Sequence, residues 1–271
     1  MTIHDWLGLG FAGMAIGSVV QLVMGWNRRT RDEESHFLLH FLVTLTATAS
    51  YLAMWMGQGS ILLADGREFY FARYVDWAIT TPLLLSGLCL TALHSPFRRW
   101  ALMLGLLFTD FYMIVTGIFA GASPTGSSAK WAWYLISSGA FLFIYQCLWG
   151  PMRAEAVKSG PRAEKLYKTN ASILSVLWLG YPVIFLLGSE GIKSIDPVAT
   201  AALYTVLDVV AKVVYGVFSL AGTRKKTTEE LAAGEVPGHD LRPAPVAFHE
   251  VQAAGVTDRV EPGTRASPAR R

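Results

Sequence analysis

Charge is what this 271-residue chain has least of. Asp, Glu, Lys and Arg make up 16% of it, where an ordinary soluble domain carries about 25%. Of its 23 basic and 20 acidic residues, 15 fall in residues 222–271, so the first 221 residues are poorer still. Such a surface excludes an ordinary soluble enzyme, and 52% hydrophobic residues exclude a disordered chain. Cysteine is nearly absent too: Cys89 and Cys147 are the only two, which excludes a disulfide scaffold, and their spacing suits no metal. No basic residue precedes the first apolar run, so a cleaved signal peptide is not expected. What is left, with a mean hydropathy of +0.37, is a polytopic membrane protein.

Seven apolar runs stand between the charges, each comparable with the ~20 residues that cross a bilayer as a helix. Residues 6–27, 35–64, 131–152 and 169–189 hold no charge. Residues 69–97 hold only Arg73 and Asp76, 100–129 only Asp110, and 197–223 only Asp208 and Lys212. Membrane-barrel strands would be about ten residues long and alternate in polarity. The expected fold is therefore all-α, a seven-transmembrane helix bundle over residues 1–221. Short loops with Gly and Pro favour antiparallel neighbours packed in sequence order. Residues 222–271, rich in Ala, Gly, Pro and charge, are expected to be a disordered cytoplasmic tail.

Loop charge sets the expected topology. The first, third and fifth loops and the start of the tail hold 13 basic residues, against three in the even loops (Arg67, Lys130 and Lys193). The positive-inside rule then puts the N-terminus outside and the C-terminus in the cytoplasm.

Five ionisable residues stay inside the runs: Arg73, Asp76, Asp110, Asp208 and Lys212. Each costs about 2.5–3.5 kcal/mol at a helix centre, so each needs a partner or a task. Asp208 and Lys212 are one turn apart on one helix face. A buried lysine is the residue type that forms Schiff bases with carbonyl ligands; a structural Asp-Lys pair has about equal weight on spacing alone. The third run places Arg73, Asp76 and Thr80 on one face, ahead of a mid-helix Pro82. Two carboxylates and two cations could make a neutral buried quadrupole.

The stretch Arg73-Tyr74-Val75-Asp76-Trp77-Ala78-Ile79-Thr80-Thr81-Pro82-Leu83-Leu84-Leu85 resembles the microbial (type I) rhodopsins. So do Leu207-Asp208-Val209-Val210-Ala211-Lys212-Val213 and Trp178-Leu179-Gly180-Tyr181-Pro182-Val183 through Gly188-Ser189-Glu190-Gly191. The resemblance covers all seven runs and leaves out the tail. It implies all-trans retinal bound covalently at Lys212 as a protonated Schiff base, with Asp76 as primary counterion and proton acceptor. Asp208 would be the second counterion, Arg73 the link to the extracellular exit, Glu190 one half of a proton-release pair, and Asp110 structural. Trp77, Trp178 and Tyr181 would wall the chromophore. Tyr74, Thr80, Thr81, Leu84, Met113, Gly117, Tyr134, Ser137, Phe141, Pro182 and Phe185 would line the rest, and Leu84 resembles the residue of green-absorbing members.

Departures from the family pattern narrow the expectation. Seven residues after Thr80, where bacteriorhodopsin-type pumps carry a carboxylate proton donor, stands Gly87. The pattern Asp76, Thr80, Gly87 is that of the small group called DTG. Reloading would use water or a group such as His94. Thr200 stands where the second release carboxylate would be, which puts prompt release in doubt. Tyr134 replaces the glycine of antenna-binding relatives, so no carotenoid antenna is expected. The resemblance implies a light-driven outward proton pump, an ion transporter rather than an enzyme, whose partners are the lipid bilayer, retinal, protons and further copies of itself. Nucleic acid is not expected. The alternative is a slow-cycling photosensory rhodopsin that signals through a partner protein.

Overall fold

The computed structural model describes residues 1–93 and 99–242. Among them are seven helices long and apolar enough to cross a membrane: α1 Ile3–Met24, α2 Arg31–Trp55, α3 Phe71–Ala92, α4 Trp100–Ala122, α5 Ser128–Lys158, α6 Pro161–Leu187 and α7 Pro197–Ala232. This is the all-α, seven-helix fold that the charge gaps predict. Consecutive helices pack together and α7 closes the ring against α1.

Helix starts follow from local chemistry. Thr2 and Asp5 form a reciprocal capping box on α1, and Thr30 and Ser127 cap α2 and α5. Asp196 accepts from the Val198 and Ala199 amides, with Pro197 as the first residue of α7. The stop of α2 is equally local: Gly57 follows the Met56 cap with φ +74°, a left-handed conformation that glycine adopts without steric cost. The apolar run 35–64 outlasts this helix because Ile61–Leu62 (β1) turns into a short antiparallel hairpin with Glu68–Phe69 (β2).

Polarity is inverted relative to a soluble bundle. Large apolar side chains such as Ile16, Phe108, Leu135 and Val176 are 65–70% exposed on the outer faces, while Arg73, Asp76, Asp110, Asp208 and Lys212 are all buried. That arrangement matches a lipid surround and a polar interior, and the protein is a multi-pass membrane protein.

Five helices run beyond the apolar runs: α1 starts at Ile3 and α2 at Arg31, each taking in acidic residues of its first turn. α5 passes residue 152 to reach Lys158, and α6 starts at Pro161, two turns before the apolar run. α7 continues to Ala232, so the disorder expected from residue 222 does not begin there. The charged turns of α7 are held from outside: Arg29 donates to Arg224 O and Thr228, and Lys226 pairs with Asp32. Residues 243–271 lie outside the described residues, as does His94.

Two π turns loosen the bundle locally. One, Leu148–Met152, contains Pro151; the other, Val210–Val214, contains Lys212. A π turn widens the helix and redirects its carbonyls. Gln21 Nε2 donates to Lys212 O at 3.2 Å, and Thr44 Oγ1 donates to Gln21 Oε1 at 3.1 Å.

Candidate functional site

The site is centred on Lys212, which α7 carries into the bundle inside its π turn. Its ammonium bonds to Asp76 on α3 and lies 3.0 Å from Asp208 Oδ1, one turn back on α7. The two carboxylates are held very differently. Asp208 also accepts from Tyr51 at 2.8 Å, Trp77 Nε1 at 3.1 Å and Tyr181 at 2.9 Å. Asp76 has no such support, and its buried Oδ1 has no partner among the described residues. One carboxylate is thus locked in place and the other keeps an open oxygen.

Arg73 does not complete the expected quadrupole. No carboxylate lies within ion-pair distance of it among the described residues. Its guanidinium stacks over Tyr204 at 4.4 Å and lies 5.5 Å from the Tyr70 ring centre. Thr80 donates to the Asp76 carbonyl at 2.8 Å rather than to its carboxylate. Thr81 donates to Asp110 Oδ2 at 2.7 Å, tying α3 to α4.

Beside Lys212 lies an apolar cavity. Of the residues named from sequence, Tyr74, Trp77, Thr81, Met113, Gly117, Tyr134, Ser137, Phe141, Trp178, Tyr181, Pro182 and Phe185 line it. Leu84 and Thr80 do not; both are buried between helices, Leu84 in the core cluster. Lys212 is not in the wall either, but Trp77 and Tyr181 are, and both donate to the Asp208 oxygen that faces the ammonium. Ile114, Ala120, Ser138 and Tyr204 line the cavity as well, and no motif distinguishes them in the sequence.

At the end of α3 near its start, Tyr74 donates to the Glu190 carboxylate. Glu190 is fixed from behind by Lys130, whose Nζ donates to Glu190 O at 2.7 Å and Ala120 O at 2.9 Å. Lys130 reads as a loop cation in the sequence, yet it is fully buried. Thr200 donates to Asp196 O and accepts from the Ser189 amide, so it serves the loop and not Glu190.

Toward the other end of α3, a Cβ at Gly87 would meet only His40 Nε2, at 3.9 Å. His40 is buried and neither ring nitrogen has a partner among the described residues. One turn along α2, His36 Nε2 lies 3.0 Å from Thr91 Oγ1. The i, i+4 spacing of two histidines was the available sequence signal; their nearness to Gly87 needed the fold.

The family model described as Bacteriorhodopsin-like protein matches residues 1–226. The chain belongs to that family. Archaerhodopsin-2 from Halobacterium sp. (strain aus-2) is 34% identical over 244 residues, spanning 88% of this chain and 92% of that protein. The thermophilic rhodopsin from Rubrobacter xylanophilus superposes with a TM-score of 0.80 at 36% identity, covering 83% of this chain and 97% of that one. The light-driven proton pump Coccomyxa subellipsoidea rhodopsin gives 0.74 at 32% identity, over 81% and 96%. Proteins of the bacteriorhodopsin kind bind retinal through a lysine, and the rhodopsin relatives matched here are light-driven ion pumps, not enzymes.

The residues here fit retinal on their own terms. An elongated apolar ligand is matched by an aromatic cavity, and an imine nitrogen by a buried lysine between two carboxylates. The unpartnered Asp76 Oδ1 is the kind of orphan that such a site leaves open for a proton or a water.

Proposed function

We propose that this protein is a light-driven outward proton pump with retinal attached at Lys212 and no carboxylate proton donor on its cytoplasmic side. The observation that carries the reading is the Lys212 ammonium held between Asp76 and Asp208 beside the aromatic cavity. Retinal held at Lys212 would supply a polyene that light isomerises, while the nitrogen that carries the transported proton is Lys212 Nζ itself.

The protein groups set the direction. Asp208, fixed by Tyr51, Trp77 and Tyr181, holds the positive nitrogen in place. Asp76 is the acceptor: of the two carboxylates at Lys212 it is the one whose Oδ1 has no partner among the described residues. It sits on the part of α3 nearest Tyr74 and Glu190, the end that loop charge assigns to the outside. A proton moving from Lys212 Nζ to Asp76 therefore moves outward. The Trp77, Trp178 and Tyr181 walls keep water from short-circuiting the step.

Return of a proton to Lys212 Nζ is a different matter. Glycine at 87 cannot hold one, so reloading draws on protons from the cytoplasmic water, past His40. Its rate should fall as cytoplasmic pH rises. Cells expressing the protein with retinal should acidify an unbuffered medium in light, and a protonophore should abolish the signal. Correctly inserted, pigmented protein that moves no protons would overturn the pump reading. The photosensory alternative draws on the same Gly87, since a missing donor slows the cycle; a light response without proton flux would favour it.

A further inference from the structure

The pump reading leaves one cleft unused. At the basic end of the bundle a narrow cleft opens between the end of α1, the start of α2 and the later turns of α7. Its wall includes Arg28, Glu33, Phe37, Thr223 and Arg224. The neighbouring arginines of the α1–α2 loop are not equivalent. Arg29 is fully engaged: its backbone N–H and guanidinium take both Glu33 oxygens at 2.6–3.2 Å, and Nη2 also reaches Arg224 O and Thr228. Glu33 is thereby neutralised. Arg28 makes no such bond. Its guanidinium lies over the Phe37 ring at 4.6 Å, and its buried Nε has no partner among the described residues.

Thr223 shares that condition from the opposite wall. It is 1% exposed, lines the same cleft, and its Oγ1 also has no partner among the described residues. Buried donors left unpaired are destabilising unless something occupies the space between them. A planar guanidinium, a second cation at Arg224 and a hydroxyl make a donor set for a tetrahedral oxyanion. Val23 and Trp26, chain neighbours of the cleft residues Met24, Gly25 and Asn27, are 68% and 77% exposed, the apolar and aromatic surface of a membrane interface.

We propose that this cleft binds a phosphate group, either the phosphodiester of an anionic lipid or free phosphate, with Arg28 and Thr223 as inner donors and Arg224 as outer cation. An occupant clips the α1–α2 loop to α7 and stiffens the basic end. The proposal is independent of retinal and of pumping.

The test uses the full chain in detergent, titrated with phosphatidylglycerol and followed by native mass spectrometry. Exposed Lys225 supplies a charge-matched control. Wild type should retain one lipid tightly; Arg28→Gln should weaken that adduct about tenfold and Thr223→Val about threefold, while Lys225→Gln leaves it unchanged. A parallel arm in phosphatidylcholine nanodiscs adds inorganic phosphate: a rise in melting temperature that Arg28→Gln abolishes assigns the site to free phosphate, and a rise only with phosphatidylglycerol assigns it to the lipid. Equal weakening by Arg28→Gln and Lys225→Gln would mean diffuse attraction and overturn the site, as would binding of neither probe. Circular dichroism checks folding, and if Arg28→Gln does not fold, Thr223→Val decides.

Discussion

Lys212→Ala in the retinal-free protein is a perturbation whose cost follows from the ion cluster and requires no light. It removes the cation that contacts two carboxylates, Asp76 and Asp208, that are 1% and 0% exposed. Removing one partner of a buried pair costs about 3–5 kcal/mol, because the charge left behind is uncompensated. That cost falls unevenly. Asp208 keeps three donors, from Tyr51, Trp77 and Tyr181, while Asp76 is left with an already unpartnered Oδ1 and no donor for the other oxygen among the described residues. Adding Asp76→Asn to Lys212→Ala should therefore restore most of the loss, and adding Asp208→Asn should restore less, since three donors would then face an amide. For a chain of this size the single variant should melt roughly 6–20 °C lower by circular dichroism. A Lys212→Ala protein melting within about 2 °C of wild type, or equal rescue by the two asparagines, would refute the asymmetric cluster.

Three further outcomes follow from packing. A Cβ at Gly121 would lie 2.7 Å from both Tyr74 OH and Phe69 Cε2, so Gly121→Ala should cost about 1–3 kcal/mol and break the Tyr74–Glu190 bond. The same change at Gly117 meets Ser137 and Tyr74 at 3.6 Å, an ordinary contact; thermal melts of the two variants side by side should show a loss at 121 and almost none at 117. Gly87→Asp has room, with only His40 Nε2 near, and should make the reloading rate nearly flat across neutral pH in flash photolysis. A rate for that variant still proportional to proton concentration would remove Gly87 from the account.

The fold was legible because lipid imposes a strict rule: charge is scarce wherever a helix must cross. Seven gaps became seven helices. The ends were less legible, because helices persist into charged turns when side chains outside them supply partners, as Arg29 and Asp32 do for α7. The Asp76, Asp208 and Lys212 cluster was legible from spacing and buried charge. What spacing could not give was the third dimension: that Arg73 stacks on Tyr204, that Tyr51 from α2 reaches Asp208, that Lys130 turns inward onto Glu190, and that His40 faces Gly87. Each joins helices far apart in sequence, and none belongs to a local motif.

The central claim is that light moves a proton from Lys212 outward by way of Asp76. Its most direct test is the light-driven pH change of an unbuffered suspension of cells making the retinal-loaded protein, compared with Asp76→Asn. The account predicts acidification that a protonophore abolishes and that Asp76→Asn eliminates while the protein stays pigmented. Alkalinisation, no change, or acidification that survives Asp76→Asn would contradict it.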